Sequence, residues 1–591
     1  MRKTLSLLSF LVAGAVSAQQ AADGVEPEAA GAGAFVGMSA AVTAALDTKA
    51  AGKPVVASDW MIAAANPHAV KAGADVLARG GTAADALVAV QVMLGLVEPQ
   101  SSGLGGGAFL IWYDAASGEV ITLDGRESAP LAATPRRFQD ENGEPLKFFD
   151  AVVGGRSVGV PGTPALLKAV HDRWGKLDFA ELTAPAIALA EEGFAVSPRL
   201  AGLIAEDAER LAKFQNTANY FLPGGVALAA GDTLKNPAYA QTLKMMNADP
   251  ASFYTGENAD AVVNAVNTAM GGAGMLSTLD LAIYQVKERA AVCAPYRSHE
   301  VCGMGPPSSG AVAVGQILGL LEGYDLSEGP QDVNVRRLMG DAARLAFADR
   351  GRYLADSDYV PVPVQGLLDP AYLAERAKLL EGEAALPEVA PGNPAFDHAL
   401  LWADDASIEL PSTSHISIVD SAGNVASMTT TIENGFGSRI MVNGYLLNNE
   451  LTDFSFRSHA DGVPIANRVE PGKRPRSSMA PTIVLKDGEP VIAVGSPGGS
   501  RIIGYVAGAI VAHLDWGMDA QQAVSAPHAV NRFGAYDLEE DTPAVELEGP
   551  LTDLGFEVGV RALTSGLHMI VIGDDLRGGA DPRREGIAMG G

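Results

Sequence analysis

Two hydroxyl residues, Ser412 and Thr413, open an alternating stretch deep inside this chain. A threonine hydroxyl becomes a nucleophile when a neighbouring base takes its proton, and a freed α-amine on the same residue can be that base. This chemistry requires the chain to be cut between Ser412 and Thr413. A Ser/Thr cluster here is usually just a solvated strand end, so the local pattern alone leaves both interpretations open.

The elements around Thr413 predict a β-hairpin. Apolar residues alternate after it up to Val419, residues 420–424 have turn composition, and a Thr-rich strand is predicted from Val425 to Ile432. Thr413 would then lie at the mouth of the hairpin, with Thr431 on the returning strand. A cross-strand threonine pair without catalytic function is the alternative for Thr431.

Further motifs occur along the chain in one fixed order, and together they make the sequence resemble the γ-glutamyltransferase (γ-glutamyl transpeptidase) family nearly end to end. These motifs are Asn66-Pro-His-Ala-Val-Lys-Ala-Gly73, Leu77-Ala-Arg-Gly-Gly-Thr-Ala-Ala-Asp85, Gly103-Leu-Gly-Gly-Gly107, Asp124-Gly-Arg-Glu-Ser-Ala-Pro130, Pro306-Pro-Ser-Ser-Gly310, Thr413-Ser-His415, Leu446-Leu-Asn-Asn-Glu-Leu-Thr-Asp-Phe-Ser455, Lys473-Arg-Pro-Arg-Ser-Ser-Met479 and Gly495-Ser-Pro-Gly-Gly-Ser-Arg501.

The resemblance implies a mixed α/β (α+β) fold of the N-terminal nucleophile hydrolase type, a four-layer αββα sandwich. It also implies that the precursor cleaves itself between Ser412 and Thr413. The products would be a large subunit (54–412, after a lead-in) and a small catalytic subunit (413–591), which form the core jointly as a heterodimer.

Four catalytic roles follow from the same resemblance. Thr413 would be the nucleophile, and Thr431 would hydrogen-bond to it. Gly498 and Gly499 would supply backbone amides to the oxyanion at the start of an apolar helix. A tight turn that needs positive φ is the alternative for the two glycines.

A free γ-glutamyl group needs a cation for its α-carboxylate and anions for its α-ammonium. By resemblance, Arg126 is the carboxylate clamp, because its planar fork suits a carboxylate. Ser477 and Ser478 would donate to the same carboxylate, while Asp453 and Glu450 would bind the ammonium. Taken singly, each is more often a surface charge or a capping serine.

The sequence departs from the family at Glu433, where well-known members have asparagine. A third carboxylate would suit an α-ammonium and repel substrates that lack one, or it could indicate a different acyl preference. The connection 456–472 is also shorter than the lid loop of enterobacterial relatives, so we expect a more open acceptor side.

The predicted activity is transfer of the γ-glutamyl group of glutathione and related amides to water, amino acids or peptides. One alternative is a glutaryl or cephalosporin-type acylase on the same fold, which Glu433 favours and Arg126 with Asp453 disfavours. A periplasmic binding protein that has kept the pocket without the chemistry is the other.

Composition and the N-terminal residues predict an exported globular protein. The 591 residues carry a net charge of −28, which disfavours nucleic-acid binding. Residues 1–18 resemble a secretory signal that ends near Ala18, so we expect a periplasmic or secreted protein without a membrane anchor in its mature form. The Ala/Gly-rich residues 19–53 read as a flexible lead-in.

The two cysteines of the chain, Cys293 and Cys302, flank a short turn. In an oxidising compartment they could pair as a structural disulfide, or they could remain two buried thiols. The nine histidines show no ligand spacing, so we predict neither a metal nor a cofactor.

Two motif matches lack the structural context that their usual function needs. Gly103-Leu-Gly-Gly-Gly107 lacks the strand-before and helix-after context of a dinucleotide loop. Ser157 fits a GxSxG pattern, but a proline and a glycine follow where a helix should begin.

Helical spacing and caps predict several helices. They are expected at 67–79, 83–97, from 163 onward, 341–352 and 371–380, with a linker at 386–410.

Overall fold

The computed structural model describes residues 35, 37–272, 274–398, 401–405, 407, 409, 410 and 412–591. The predicted signal segment 1–18 and the first part of the predicted lead-in lie outside the described residues. In the part of the chain that the structure describes, no helix combines the length and apolar character needed to cross a membrane.

The described chain contains 23 strands. They are β1 Val55–Ala57, β2 Met61–Ala64, β3 Gly107–Asp114, β4 Glu119–Gly125, β5 Phe194–Ala195, β6 Thr233–Leu234, β7 Lys287–Ala290, β8 Val292–Tyr296, β9 His299–Gly303, β10 Ser414–Val419, β11 Val425–Thr431, β12 Met441–Val442, β13 Tyr445–Leu446, β14 His459–Ala460, β15 Val463–Pro464, β16 Thr482–Lys486, β17 Glu489–Gly495, β18 Ala529–Val530, β19 Tyr536–Glu539, β20 Val558–Arg561, β21 His568–Ile572, β22 Leu576–Ala580 and β23 Ile587–Gly590.

The α-helices and short 3₁₀ turns lie mostly outside these strands. The α-helices are Ala40–Ala50, Pro67–Ala78, Ala83–Val97, Phe148–Val152, Thr163–Trp174, Phe179–Glu192, Pro198–Leu211, Gln215–Phe221, Pro237–Ala248, Gly256–Asn267, Thr278–Ala282, Gly310–Leu321, Val333–Tyr353, Val364–Leu367, Pro370–Ala377, Ile502–Leu514, Ala520–Ser525 and Glu548–Asp553. The 3₁₀ turns are Gly155–Ser157, Pro223–Gly225, Pro250–Phe253, Lys378–Glu381, Glu450–Asp453, Gly499–Arg501 and Pro543–Leu547.

Two antiparallel sheets of seven strands form the middle of the molecule. Sheet I has the order β23-β2-β10-β11-β3-β4-β7, and sheet II has the order β1-β22-β21-β17-β16-β9-β8. Apolar side chains of the two sheets pack against each other, and each sheet buries its other face against helices. The predicted four-layer αββα sandwich is therefore confirmed.

The hairpin predicted around Thr413 is β10 and β11, and it occupies the centre of sheet I. Six residue pairs join the two strands, from Ser414 opposite Thr430 to Val419 opposite Val425. At the far end, Asp420 accepts a hydrogen bond from the N–H of Ala83 (2.9 Å), where the fully buried helix Ala83–Val97 begins. The hairpin is thus fixed between sheet neighbours and a buried helix.

Both sheets contain strands from each side of the Ser412–Thr413 bond. In sheet I, β10 and β11 lie between β2 and β3, which precede that bond in the sequence. In sheet II, β16 pairs with the earlier strand β9. A cut at this bond would therefore leave two pieces that share both sheets and cannot separate without breaking them.

The predicted flexible lead-in is wrong for its second half, because Ala40–Ala50 is a helix. Ser39 caps it by accepting from the N–H of Val42, and Val42 and Ala45 are buried. Alanine is the strongest helix former, so the composition that suggested flexibility also favours this helix once its apolar side chains find a surface.

The helices that the sequence predicted lie close to the observed positions, with one large difference. The helix expected at 341–352 begins at Val333, where Asp332 caps it by accepting from the N–H of Val335. The described residues of the predicted linker 386–410 contain no helix or strand. This stretch leads directly to Ser412.

Candidate active site

Thr413 lies where β10 begins, beside the last residue of β11. Its hydroxyl donates to Thr431 Oγ1 at 3.1 Å, and the N–H of Glu433 donates to the same oxygen at 2.8 Å. Thr431 Oγ1 therefore accepts two hydrogen bonds and orients the Thr413 hydroxyl. Both threonines are buried.

The backbone of Thr413 has an uncommon conformation, with φ +104°. This region is disfavoured for a β-branched residue and costs on the order of 1–3 kcal/mol. Contacts on both sides hold it, because Ser412 Oγ donates to the carbonyl of Gln100 (3.1 Å) and Arg584 Nη1 donates to the carbonyl of Thr413 (3.0 Å). Cutting the Ser412–Thr413 bond would release this strain, since an N-terminal residue has no φ.

Between the sheets, the strand face that carries Thr413 continues as a polar layer. His415 bonds Thr429 Oγ1 (2.9 Å) and Ser417 Oγ (3.0 Å). Burial, with a smaller contribution from His568, lowers the pKa of His415 well below its usual range. His415 is therefore a neutral, hydrogen-bonded side chain that braces the strand behind Thr413.

A small cavity with an accessible volume of about 20 Å³ opens in front of Thr413 and Thr431. It brings together most of the residues that the sequence singled out, although they come from distant segments. Its lining residues are Arg126, Glu409, Leu410, Thr413, Thr431, Glu433, Glu450, Asp453, Ser477, Ser478, Met479, Gly499 and Ile502.

Arg126 is fully buried in this cavity wall, and its guanidinium fork is already engaged by protein acceptors. Nη1 donates to Glu450 and Nη2 to Asp453, while Nε and Nη2 also donate to the carbonyls of Pro475 (3.2 Å) and Arg476 (2.9 Å). Four of the five N–H groups of an arginine are thus in use. A bidentate grip on a substrate carboxylate would require some of these bonds to rearrange.

The acids around Arg126 outnumber it. Burial raises the pKa of Glu433 well above its usual range, and Asp453 adds to this effect. Burial likewise raises the pKa of Glu450 and of Asp453 against the opposing charge of Arg126, and it raises the pKa of Glu127 to about 8. A cation placed among these acids would favour their charged forms.

All four of these carboxyl groups have an oxygen with no hydrogen-bond donor among the described residues. These buried oxygens are Glu433 Oε1, Glu450 Oε2, Asp453 Oδ1 and both oxygens of Glu127. Glu433 is held by Asn449, which donates to its other oxygen. The site therefore offers several converging acceptors to a ligand that carries N–H groups.

Ser477 and Ser478 also line the cavity. Ser477 Oγ accepts from the N–H of Met479 (3.1 Å), and Ser478 Oγ accepts from Arg350 Nη2 (2.8 Å). Each hydroxyl accepts one bond in these contacts and has its own proton to donate. This arrangement suits an anionic group such as a carboxylate.

The Gly498–Gly499 turn has positive φ at both residues, +134° and +57°. A Cβ atom added at Gly499 would lie 2.5 Å from the carbonyl oxygen of Glu409, so the upstream chain packs directly against this turn. The N–H of Ser500 donates to that same oxygen at 3.2 Å. Both the turn geometry and amide donors for an oxygen are therefore present here.

Two sequence features lie away from the cavity. Ser157 is buried and donates to the carbonyl of Val152 (2.5 Å), so its hydroxyl has a structural role. Cys293 of β8 and Cys302 of β9 face each other across the strand pair and are joined as a disulfide, with their Cα atoms 4.0 Å apart.

Sequence reasoning missed three charged residues. Glu409 lines the cavity and pairs with Arg350, which also donates to Ser309 Oγ. Arg584 bonds Thr413 across a separation of 171 residues. Glu409 lay in the predicted linker and Arg350 in a predicted helix, and no local motif indicated either contact.

Comparison with known proteins decides the family. The gamma-glutamyltranspeptidase family model matches residues 69–591. The chain belongs to the γ-glutamyltranspeptidase family. It is 37% identical to the glutathione hydrolase proenzyme of Bacillus subtilis (strain 168), covering 90% of this chain and 92% of that protein.

Acylases are also similar to this γ-glutamyltranspeptidase family member. The acylase ACY 1 proenzyme of Pseudomonas sp. (strain SE83) is 35% identical, covering 90% of this chain and 94% of that protein. The crystal structure of cephalosporin acylase from Bacillus halodurans superposes with a TM-score of 0.81 at 27% identity, covering 91% of this chain and 97% of that one.

Replacing Thr431 by valine is expected to lower kcat about 10- to 100-fold with little change in KM. The change removes the acceptor for Thr413 Oγ1 and for the N–H of Glu433, and a buried donor left without a partner costs about 1–3 kcal/mol. Steady-state hydrolysis of a chromogenic γ-glutamyl amide measures both constants.

Thr431→Ser is the matched control, because it keeps the accepting oxygen, and its kcat should stay within about threefold of wild type. Thr429→Val removes the hydroxyl two residues before Thr431, on the same face of β11. Equal losses in the Thr429 and Thr431 variants would contradict a specific function for Thr431.

Proposed function

We propose that this protein is a γ-glutamyltransferase and glutathione hydrolase that cleaves itself between Ser412 and Thr413. Support comes from the family membership, the cavity in front of Thr413 and the proenzyme name of the relatives. The observation that carries the choice of donor is the group of buried, donor-free carboxylate oxygens around Arg126.

Self-cleavage would begin when Thr413 Oγ attacks the carbonyl carbon of Ser412. The bond from that carbon to the Thr413 nitrogen breaks, the nitrogen takes up the hydroxyl proton, and an ester to Thr413 Oγ remains. Water then hydrolyses the ester, which leaves a carboxylate on Ser412 and a free amine on Thr413. The positive φ of Thr413 supports this step, because cleavage relieves its strain.

Turnover would use the same hydroxyl. The free amine of Thr413, with an unperturbed pKa near ~8, takes the hydroxyl proton directly or through water. Thr413 Oγ attacks the γ-amide carbon of the donor, and the leaving amine departs with a proton. The γ-glutamyl ester on Thr413 is then resolved by water or by the amine of an amino acid or peptide.

Amide N–H groups at the Gly498–Gly499 turn would stabilise the oxyanion. In the uncut chain the adjacent Ser500 N–H already holds the carbonyl oxygen of Glu409. Preorganised donors at a helix start are favourable for developing negative charge. Release of the upstream chain after cleavage would make these donors available to substrate.

The donor's amino-acid end would bind with its two charges separated. Its α-ammonium would lie among Glu433, Glu450 and Asp453, whose donor-free oxygens need N–H partners. Its α-carboxylate would accept from the hydroxyls of Ser477 and Ser478. Arg126 would balance the charge of the acids and contribute an N–H only after rearrangement.

A comparison of two donors tests the assignment. Gamma-glutamyl-p-nitroanilide should be hydrolysed at least about 100-fold faster than glutaryl-p-nitroanilide, because the latter lacks the α-amine and leaves the buried acids without a partner. Glu433→Gln removes one of the acids that favour the ammonium and should narrow this ratio by about tenfold. A faster glutaryl reaction in the wild type would instead support an acylase.

The acylase remains the second candidate, because proteins named as acylases are among the similar ones. In that case Glu433→Gln should lower glutaryl turnover, since Glu433 is the residue that favours a different acyl preference. The relative rates of hydrolysis and transfer follow from product analysis with and without added amino acid or dipeptide.

Export to the periplasm is part of the proposal and rests on residues 1–18. The disulfide between Cys293 and Cys302 supports an oxidising compartment. The mature protein would be a heterodimer of residues up to 412 with residues 413–591, held by the shared sheets.

A further inference from the structure

Arg584 lies in the turn between β22 and β23, and it is the charged side chain that bonds the backbone of Thr413. Its Nη1 donates to the Thr413 carbonyl at 3.0 Å, and the residue is 3% exposed. That carbonyl belongs to the Thr413–Ser414 peptide, which stays intact when the preceding bond is cut. The contact therefore suits the cut enzyme as well as the precursor.

The turn that carries Arg584 is fixed from inside the molecule. The carboxylate of Asp581 accepts from Ser565 Oγ and from the N–H of Leu567 (3.1 Å), and Ser565 Oγ contacts His528 Nε2 at 2.6 Å. Arg583 pairs with the same carboxylate at 3.0 Å. These buried contacts leave the turn little freedom.

The N-terminal helix fixes the same turn from the other side. Lys49, in the last turn of helix Ala40–Ala50, donates to the carbonyl of Gly586 at 2.6 Å and to that of Arg584. A contact thus runs from the start of the large piece, through the Arg584 turn, to the residue that would become the N-terminus of the small piece.

The charges around Thr413 are otherwise mainly acidic. Glu409 and Glu433 line the cavity beside it, together with Glu450, Asp453 and the cation Arg126. His415, two residues along the strand, is neutral for the reason given above. Arg126 is bonded to two of these acids, so its charge is largely balanced there.

We propose that Arg584 is the positioning residue of the nucleophile, holding the Thr413 carbonyl so that amine and hydroxyl face the substrate and favouring the neutral, basic form of that amine. A guanidinium on the carbonyl lies within a few ångströms of the amine on the same residue, and a nearby positive charge disfavours protonation. The proposal rests on the function proposed above, because it requires cleavage at Thr413.

The test measures kcat/KM against pH for the cut enzyme, from about pH 5 to about pH 10, with γ-glutamyl-p-nitroanilide. In Arg584→Gln the acid limb should move up by about 0.5–1 pH unit, because the amine then keeps its proton to higher pH, and kcat should fall at least about tenfold. In Arg584→Lys the limb should stay within about 0.3 unit, with a loss of about three- to tenfold.

Two further variants separate charge from structure. Lys49→Gln removes the bonds from the N-terminal helix to the Arg584 turn. It should lower kcat at every pH by about two- to fivefold without moving the acid limb of the pH profile. Arg439→Gln removes a buried arginine whose bonds go to Asp207, Asn434 and Gly437 rather than to Thr413, and its pH profile should match wild type.

An unchanged acid limb in cut Arg584→Gln, or an equal shift in Arg439→Gln, overturns the proposal. If Arg584→Gln does not fold, Arg584→Lys decides the question, because lysine keeps the positive charge. An acid limb of the pH profile displaced by about one pH unit in Arg584→Lys would exclude a function of that charge. An enzyme in which no variant is cut, wild type included, would instead contradict the proposed function.

Discussion

Thr413→Ala is expected to leave the chain as a single band on a denaturing gel and to abolish turnover of γ-glutamyl amides. The change removes the one oxygen that serves both as the cleavage nucleophile and as the acyl carrier in the proposed mechanism. Loss of a covalent nucleophile lowers kcat by about 10⁴-fold or more. The wild type should show two bands, the smaller beginning Thr-Ser-His-Ile.

Two variants next to this position serve as controls. Thr413→Ser keeps a hydroxyl and should still be cut and active, with a lower rate. Ser412→Ala removes a hydroxyl that donates only to the carbonyl of Gln100 in the described contacts, so cleavage should continue. An uncut wild type that binds glutathione would favour the non-catalytic binding protein.

Arg126→Gln is expected to lower kcat/KM for γ-glutamyl-p-nitroanilide by about 10²- to 10³-fold. Arg126 pairs with both Glu450 and Asp453 in a fully buried position. Breaking a buried, hydrogen-bonded charge pair costs about 2–5 kcal/mol, and here it also leaves two acids without their cation. Most of the effect should appear in KM, because the acids that would bind the donor's ammonium lose the cation that favours their charged forms.

Arg474→Gln is a matched control for this loss. Arg474 is also buried and pairs with Asp124 (2.5 Å), but it does not line the cavity. We expect it to lower the thermal unfolding midpoint while kcat/KM stays within about tenfold of wild type. A loss below tenfold in Arg126→Gln would contradict the proposed donor site.

Much of the fold could be predicted from local pattern. The helix Ala83–Val97 has the predicted bounds, because a Thr82–Asp85 capping box starts it and a continuous apolar run follows. The hairpin around Thr413 formed as expected, since alternation and turn composition act over a few residues. The lead-in helix Ala40–Ala50 was missed, because its stability depends on a surface that the local sequence does not describe.

For the site, the sequence predicted which residues are present better than it predicted how they contact one another. The family resemblance singled out nine of the residues that line the cavity, with Glu433 among them as a departure from the family. It did not show that Glu450 and Asp453 occupy the guanidinium of Arg126, or that Glu409 and Arg350 meet beside Ser478. These are contacts between side chains that are far apart in the sequence.

By itself, the sequence determined which hydroxyl could react, which strands would carry it and which polar residues to expect around it. Those features depend on neighbouring residues, on backbone preference and on motif order. Only the tertiary structure decided which charges pair and which oxygens stay without donors, and it alone placed Arg584 on Thr413. Packing brings those groups together, because pairing across hundreds of residues depends on how the layers stack rather than on local pattern.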